Sequence, residues 1–113
     1  MLETIFGNQT AAKIMLYLFH YGEAFANGLS KDMGITLSQV QKQLGRFEDG
    51  DILVSRKFGT TKLYEFNPKL GVVKKLKDLV GAFYESIPLE EREVIFGNRR
   101  RPRKSGKPVI KSS

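Results

Sequence analysis

The sequence contains no cysteine and no tryptophan, and its 113 residues include a single histidine. Without cysteine, disulfides, thiolate metal sites and cysteine nucleophiles are excluded. The serines are scattered, with no histidine or lysine arranged beside them, so catalysis by an activated hydroxyl group has no support. We therefore expect a protein that is not an enzyme and that needs no cofactor.

Long hydrophobic runs are missing as well. The longest, IMLYLF at 14–19, is far shorter than the roughly 20 apolar residues of a membrane-spanning helix. The first residues, MLETIFGN, lack the basic start and long apolar stretch of a signal peptide. With 41% hydrophobic residues, the chain is long enough for one core and too short for two. These features predict one soluble, cytoplasmic domain with no membrane partner.

Positive charge is concentrated at one end of the chain. Residues 1–98 hold twelve Lys/Arg and all twelve Asp/Glu, whereas the remaining fifteen hold seven Lys/Arg and no acid. The net charge of +7 therefore belongs to the segment that begins RRRPRKSGKP at 99–108. Such a segment is expected to meet a polyanion. Its Pro, Gly, Ser and charged residues cannot bury a core, so 98–113 is predicted to be a flexible basic tail.

Capping residues, turn residues and hydrophobic periodicity predict three helices, a hairpin, a long helix and a short one. A helical turn at 1–6 comes first. The predicted helices and their boundary residues are Gln9–Tyr21 after the N-cap Asn8, Ala26–Met33, a helix from the N-cap Thr36 to Gly50, Leu70–Ile87, and a short one from Pro88 to about Phe96. Ile52–Lys57 and Thr61–Phe66 are β-prone and predict a two-stranded hairpin. The expected fold is mostly α with a small β-hairpin wing (α+β).

Two of these helices have unusually wide apolar surfaces. Residues 14–19 cover most of the circumference of the first long helix, which should lie centrally in the domain or against a second subunit. The helix within 69–87 carries an apolar side made of Val72, Leu76, Leu79, Val80, Phe83 and Ile87. We expect it both to close the core and to pair with a second copy, as the dimerisation helix of a domain at 1–87, followed by a short helix at 88–97.

The segment at 36–47 has the properties of a DNA-recognition helix. Leu37, Val40, Leu44 and Phe47 form an apolar stripe, and the opposite side is polar. Gln bonds adenine edges, Lys and Arg bond guanine or phosphate, and Ser or Thr can do either. The candidate contacts are Thr36, Ser38, Gln39, Gln41, Lys42 and Arg46. Gly45 costs this helix about 1 kcal/mol relative to Ala, and indicates either close packing or close approach to a backbone.

The predicted hairpin follows this helix directly, as a wing does in a winged helix-turn-helix domain. Arg56, Lys57 and Lys62 flank its tip within 55–63, where a wing contacts phosphate or the minor groove. Gly59 allows the tip to turn tightly. The acids Glu48, Asp49 and Asp51 lack calcium-loop spacing and are ordinary at a helix end.

The run GITLSQVQKQLGRFEDGDILVSRKFGTTKLYEFNP at 34–68 resembles the helix-turn-helix and wing of ArsR-like winged-helix regulators, and IFGNQTAAKIMLYLFHYG at 5–22 resembles their first helix. The resemblance covers about residues 2–87. It is closest to a small subgroup that begins with an LFGS-T-KIL pattern and is sometimes joined to, or encoded beside, nucleotidyltransferase domains. It implies transcriptional regulation, binding to double-stranded DNA, and homodimerisation through the first and last helices. Metal sensing is not implied, because members that sense metals use cysteine and histidine clusters.

Other functions remain open at this stage. The winged helix could instead bind a protein, such as a nucleotidyltransferase-type partner, or could bind RNA, for which Phe58 is the obvious exposed aromatic residue. The tail could be a solubilising or cloning-derived end, a docking peptide for an acidic partner, or a minor-groove arm that resembles an AT-hook without its central Arg-Gly-Arg. DNA contact is favoured, because a neutral body attracts DNA weakly. The candidate tail contacts are Arg99, Arg100, Arg101, Arg103, Lys104 and Lys107.

Overall fold

The computed structural model describes residues 1–97, so the predicted basic tail and its candidate DNA contacts lie outside the described residues. Within that range the chain forms six helices and one small sheet. In chain order the elements are α1 (Leu2–Phe6), α2 (Gln9–Tyr21), β1 (Ala24–Phe25), α3 (Ala26–Met33), α4 (Leu37–Asp49), β2 (Leu53–Phe58), β3 (Thr61–Phe66), α5 (Gly71–Ser86) and α6 (Leu89–Phe96). Three helices followed by a hairpin is the predicted order.

Helix α2 lies at the centre of the domain. It begins at Asn8, whose side chain accepts a hydrogen bond from the Ala11 amide at 2.7 Å. Ile14, Met15 and Leu18 are completely buried. The other helices and the sheet surround α2, so its wide apolar surface is covered within one subunit. The prediction of a central helix is therefore confirmed.

Helices α3 and α4 form the helix-turn-helix. The turn between them passes through Gly34, whose backbone is left-handed with φ 68°. Thr36 then caps α4 as predicted, and its hydroxyl oxygen accepts a hydrogen bond from the Gln39 amide at 3.3 Å. Val40, Leu44 and Phe47 are buried and fix one side of α4 to the core. The opposite side is left on the surface.

The sheet has three antiparallel strands in the order β1-β3-β2, so the prediction of a two-stranded hairpin was incomplete. Strand β1 pairs Ala24 with Tyr64 and Phe25 with Leu63. Two residues are too few to show an alternating pattern, and β1 exists only because the chain between α2 and α3 runs beside β3. In the hairpin itself, Phe58 pairs with Thr61, which leaves Gly59 (φ 62°) and Thr60 as the turn.

Helix α5 buries only part of the predicted apolar side. Val80 of that side is buried, and Leu76 and Phe83 are partly buried and pack against the core. Val72 is 73% exposed and Leu79 is 43% exposed, whereas Val73, outside the predicted side, is buried. The buried strip of α5 is therefore rotated from the predicted one but overlaps it.

Helix α6 is held by an aromatic cluster at the ends of α2 and α5. Phe96 is buried, and its carbonyl oxygen accepts a hydrogen bond from the Tyr21 hydroxyl group. The His20 ring stacks on Phe96 with 4.8 Å between centroids, and its Nδ1 lies 2.6 Å from the Tyr84 hydroxyl oxygen. His20 thus occupies a packing position. Among residues 1–97, no helix is long and apolar enough to cross a membrane.

Candidate nucleic-acid interface

The exposed side of α4 is centred on Ser38, Lys42 and Gly45. At about 100° per residue, these positions lie opposite the buried side of the helix. Ser38 and Lys42 are exposed, Gly45 is partly exposed, and none of the three has an apolar side chain. The centre of the exposed surface of α4 therefore consists of one hydroxyl group, one ammonium group and bare backbone, followed at the C-terminal end by the exposed Asp49 carboxylate, seven residues after Lys42.

The remaining candidates on α4 lie to either side of this centre. Gln39 and Arg46 are seven residues apart and lie on the side toward α1, whereas Gln41 and Glu48 lie on the side toward the hairpin. Gln39 and Gln41 are both exposed. Thr36 is exposed at the start of the helix, where its hydroxyl oxygen is used as the cap. The structure thus brings the polar candidates of 36–42 onto one end of the helix.

Arg46 is attached to neighbouring residues. One of its terminal nitrogens donates to the Phe6 carbonyl oxygen at 2.8 Å, and its Nε donates to the Gln43 side-chain oxygen at 3.0 Å. The guanidinium carbon also lies 5.0 Å from the centre of the Phe47 ring. Arg46 therefore ties α4 to the end of α1, and a contact with DNA stays a prediction for this residue.

The three hairpin cations are divided between the two faces of the sheet. Lys57 and Lys62 are directly opposite each other and lie on the same face as the buried Leu53 and Phe66, whereas Arg56 points to the other face. Arg56 lies 3.5 Å from a Glu23 carboxylate oxygen. Its guanidinium carbon also lies 5.6 Å from the centre of the Phe58 ring. Only Lys57 and Lys62 therefore share the side of the hairpin on which α4 packs.

Glu48 links α4 to both hairpin strands. Its carboxylate accepts a hydrogen bond from the Ser55 hydroxyl group at 2.6 Å and one from the Lys62 ammonium group at 3.0 Å. These hydrogen bonds, chiefly the one from Ser55, hold the pKa of Glu48 below its ordinary value. The hydrogen bond to Glu48 likewise raises the pKa of Lys62. Both side chains are partly open to solvent, so water screens the pair, which is worth at most about 1 kcal/mol.

A groove of about 180 Å³ with a mixed polar and apolar lining lies between α4, the hairpin turn and the start of α3. Its lining consists of Phe25, Ala26, Asn27, Gln41, Thr60, Thr61, Lys62 and Tyr64. Phe25 precedes α3 and its side chain offers no capping hydrogen bond. The start of α3 therefore adds a partial positive charge to a groove that already contains the Lys62 ammonium group.

Sequence reasoning missed Asn27, Thr60 and Thr61 as members of this surface. Each is a common surface residue, and no spacing connects them with Gln41. They meet because β1 places the start of α3 beside β3. To predict this surface, the sequence would have had to indicate strand β1. The two residues of β1 are too few to form a recognisable strand pattern.

The acids near α4 limit where an anion can approach. Between Thr36 and Phe47 the helix carries Lys42 and Arg46 and no acid. Glu48, Asp49 and Asp51 follow at its C-terminal end, and Asp49 and Asp51 are exposed. The acid-free stretch from Thr36 to Phe47 is therefore the part of α4 that a polyanion can approach. Among the residues that the structure describes, no group of three or more His, Asp or Glu side chains could hold a metal ion.

Comparisons with known proteins give structural matches only. No protein-family profile matches the chain, and no curated protein matches its sequence. The structure is similar to the crystal structure of the AntR antimony-specific transcriptional repressor, with TM-score 0.58, 22% identity, and 75% of each chain covered. It is also similar to a MepR-like protein complexed with pseudoligands, with TM-score 0.52, 18% identity, 85% of this chain covered and 74% of the other. The chain therefore has the winged helix-turn-helix fold, as predicted from its sequence.

Proposed function

We propose that the protein is a transcriptional regulator that binds double-stranded DNA in a sequence-specific manner. In this proposal the recognition helix at 36–47 enters the major groove, and the wing at 55–63 and the basic tail contact the sugar–phosphate backbone or the minor groove. The observation that carries the proposal is the exposed side of α4, where Ser38, Gln39, Gln41 and Lys42 are accessible on a helix fixed to the core. A rigid helix that presents amide, hydroxyl and ammonium groups is suited to bonding base edges.

The groove beside α4 supports the same proposal. It joins the uncapped start of α3, the Lys62 ammonium group and the threonines of the hairpin turn. Helix starts and lysines are common phosphate ligands, and in a helix-turn-helix the first helix crosses the DNA backbone. We therefore expect a phosphate group in this groove when α4 lies in the major groove. The fold shared with a transcriptional repressor agrees with this role.

A homodimer is part of the proposal. Val72 and Leu79 on α5 are exposed, and the Leu76 and Phe83 side chains beside them pack against the core but, like Ile87, are only partly buried. A second groove, between α1, α2 and the end of α5, is lined by Leu16, Phe83 and Ile87. Pairing of two copies through these surfaces would cover the apolar groups and present two recognition helices to two half-sites.

The test begins with the selection of binding sites from a pool of random duplexes. Replacing Gln39 or Lys42 with Ala should cost about 1–3 kcal/mol on the selected site and much less on unrelated duplexes, because base contacts are lost. Replacing Arg56 or Lys62 with Ala should weaken binding to the selected site and binding to unrelated duplexes by similar amounts, because phosphate contacts carry no sequence information. If no duplex is enriched, or if all four variants behave alike on every duplex, this division of roles is wrong.

One observation favours a protein partner as the second candidate function. Helix α6 exposes Leu89 (60%) and Val94 (70%), and both lie on a surface that does not belong to the proposed DNA interface. An interaction module for a partner such as a nucleotidyltransferase-type protein would use such a surface. The same site selection separates the two functions, since a pure interaction module would enrich no duplex.

RNA binding is less well supported. Phe58 is 52% exposed, but its ring packs edge-to-face against Phe25 with 5.9 Å between centroids, and Arg56 lies over it. An aromatic residue that stacks on a base needs an open ring face. A competition between the selected duplex and single-stranded RNA of equal length would test this directly.

A further inference from the structure

Gly45 lies near the centre of the exposed side of α4, and nothing within the described chain explains it. A methyl group built at this position meets no atom within 4 Å other than the helix's own backbone. Close packing inside the subunit, one of the two explanations open from the sequence, is thereby excluded for residues 1–97. Because glycine destabilises a helix relative to alanine, the free protein gains nothing from it.

The neighbouring side chains leave the backbone at Gly45 uncovered. Arg46 turns toward Phe6 and Gln43, away from the centre of the exposed side. Phe47 points into the core, where it is 2% exposed. An added methyl group at Gly45 would therefore project into open space between the exposed Lys42 and Asp49, one turn away on either side.

The distance along the helix indicates what approaches this point. Gly45 lies nine residues after Thr36, or about 13 Å at 1.5 Å per residue. The major groove of B-DNA is about 12 Å wide. If α4 crosses the groove from wall to wall, with its first residues at one side, it therefore reaches the opposite wall, the sugar–phosphate backbone, near Gly45. One turn later Asp49 carries an exposed carboxylate, which phosphate repels, so the contact must end before it.

We propose that Gly45 is the point at which α4 makes its closest contact with the DNA sugar–phosphate backbone, and that the missing side chain sets how deeply the helix enters the groove. This inference rests on the proposed DNA binding. Gly45 acts as a positioning residue. It has no side chain with which to bond DNA, and it sets the distance at which Ser38 and Lys42 meet the bases.

The test compares the variants Gly45→Ala and Gly71→Ala. The affinity of each for the selected duplex and for unrelated duplexes is measured over a series of salt concentrations. Gly71 is a matched control, because it is the first residue of α5, has a negative φ, and also has open space around an added methyl group. Gly45→Ala should weaken binding to unrelated duplexes by roughly tenfold, the order expected when a methyl group must fit into a close-packed contact, and binding to the selected duplex by more, because the contacts of Ser38 and Lys42 with the bases are lengthened as well. The dependence on salt should be unchanged, since no charge is lost.

Two further measurements make the result specific. The melting temperature of free Gly45→Ala should rise by about 3–6 °C, because alanine favours the helix and meets no obstacle. Gly45→Gln, with a longer side chain, should weaken binding more than Gly45→Ala does. Gly71→Ala should leave DNA binding unchanged.

If Gly45→Ala binds duplex DNA with an affinity within twofold of that of the wild-type protein, the inference is overturned and the proposed function remains intact. A wild-type protein that binds no duplex would overturn both. A loss confined to the selected duplex would also overturn the inference, because it would place a base edge, and not the backbone, against Gly45.

Discussion

Gly81 offers a test of how α5 is packed against α2. A methyl group at this position would lie 2.6 Å from Cε1 and 2.7 Å from Cζ of Phe19. Carbon atoms in contact are normally about 3.5–4.0 Å apart, so the Phe19 ring would have to retreat by roughly 1 Å. That ring already packs against Tyr84, with 5.1 Å between centroids, which limits the space into which it can move.

Two effects of Gly81→Ala oppose each other. Alanine favours the helix by about 1 kcal/mol, whereas overpacking of this kind costs about 1–3 kcal/mol. We expect the packing cost to be the larger, because Gly81 is buried and the obstacle is an aromatic ring of the adjacent helix α2 that also packs against Tyr84. The net loss should be about 1 kcal/mol, which lowers the melting temperature of a domain of this size by roughly 4–8 °C.

The assay is thermal or denaturant unfolding of Gly81→Ala beside Gly71→Ala, which has open space around the added methyl group. A double-mutant cycle with Phe19→Leu locates the cause, since a smaller and more flexible side chain should reduce the cost of the alanine. If Gly81→Ala proved as stable as the wild-type protein, or if Phe19→Leu left its cost unchanged, the packing of α5 on α2 would differ from the one described.

The remaining predictions concern charge and association. Glu48→Gln should lower stability by at most about 1 kcal/mol at pH 7 in denaturant unfolding, because the pair with Lys62 is partly exposed. Because the pKa of Glu48 is lowered in the folded state, this stabilisation is present above the ordinary glutamate pKa of about 4.3 and disappears as the pH falls below it. A difference between the two proteins that does not shrink as the pH is lowered from 7 would contradict this assignment. Glu48→Gln should also strengthen DNA binding, because it removes a carboxylate that repels the phosphate group expected beside Lys62. Leu79→Lys should shift the protein from dimer to monomer in sedimentation at micromolar concentration. The control Asp78→Lys, on the other side of α5, should leave the dimer intact. A wild-type protein that sediments as a monomer with and without DNA would exclude the dimer. Truncation after Asn98 removes seven cations. If four to six of them meet phosphate, the log–log salt slope should fall by roughly 4–5 units, and an unchanged slope would remove the tail from the interface.

Local interactions allowed much of this fold to be predicted from the sequence. The caps at Asn8 and Thr36 formed as expected, because each uses a side chain and an amide three residues later. The hairpin turn at Gly59 and most of the apolar stripe of α4 followed from backbone and periodicity rules of the same short range, although Leu37 at the start of the stripe is 37% exposed. The polar candidates at 38–42 could be placed on the surface for this reason.

Contacts between distant segments could not be predicted in this way. Strand β1 exists only beside β3, and Arg46 is hydrogen-bonded to Phe6 forty residues away. No local pattern could therefore predict the β1–β3 pairing or the Arg46–Phe6 contact. The sequence likewise showed that α5 has a wide apolar surface, but the position of α2 decided that Val73 is buried and Val72 is exposed. The sequence by itself determined which residues are apolar, capped or charged. The tertiary structure alone decided which of them meet, because burial depends on neighbours that the chain brings together only when it folds.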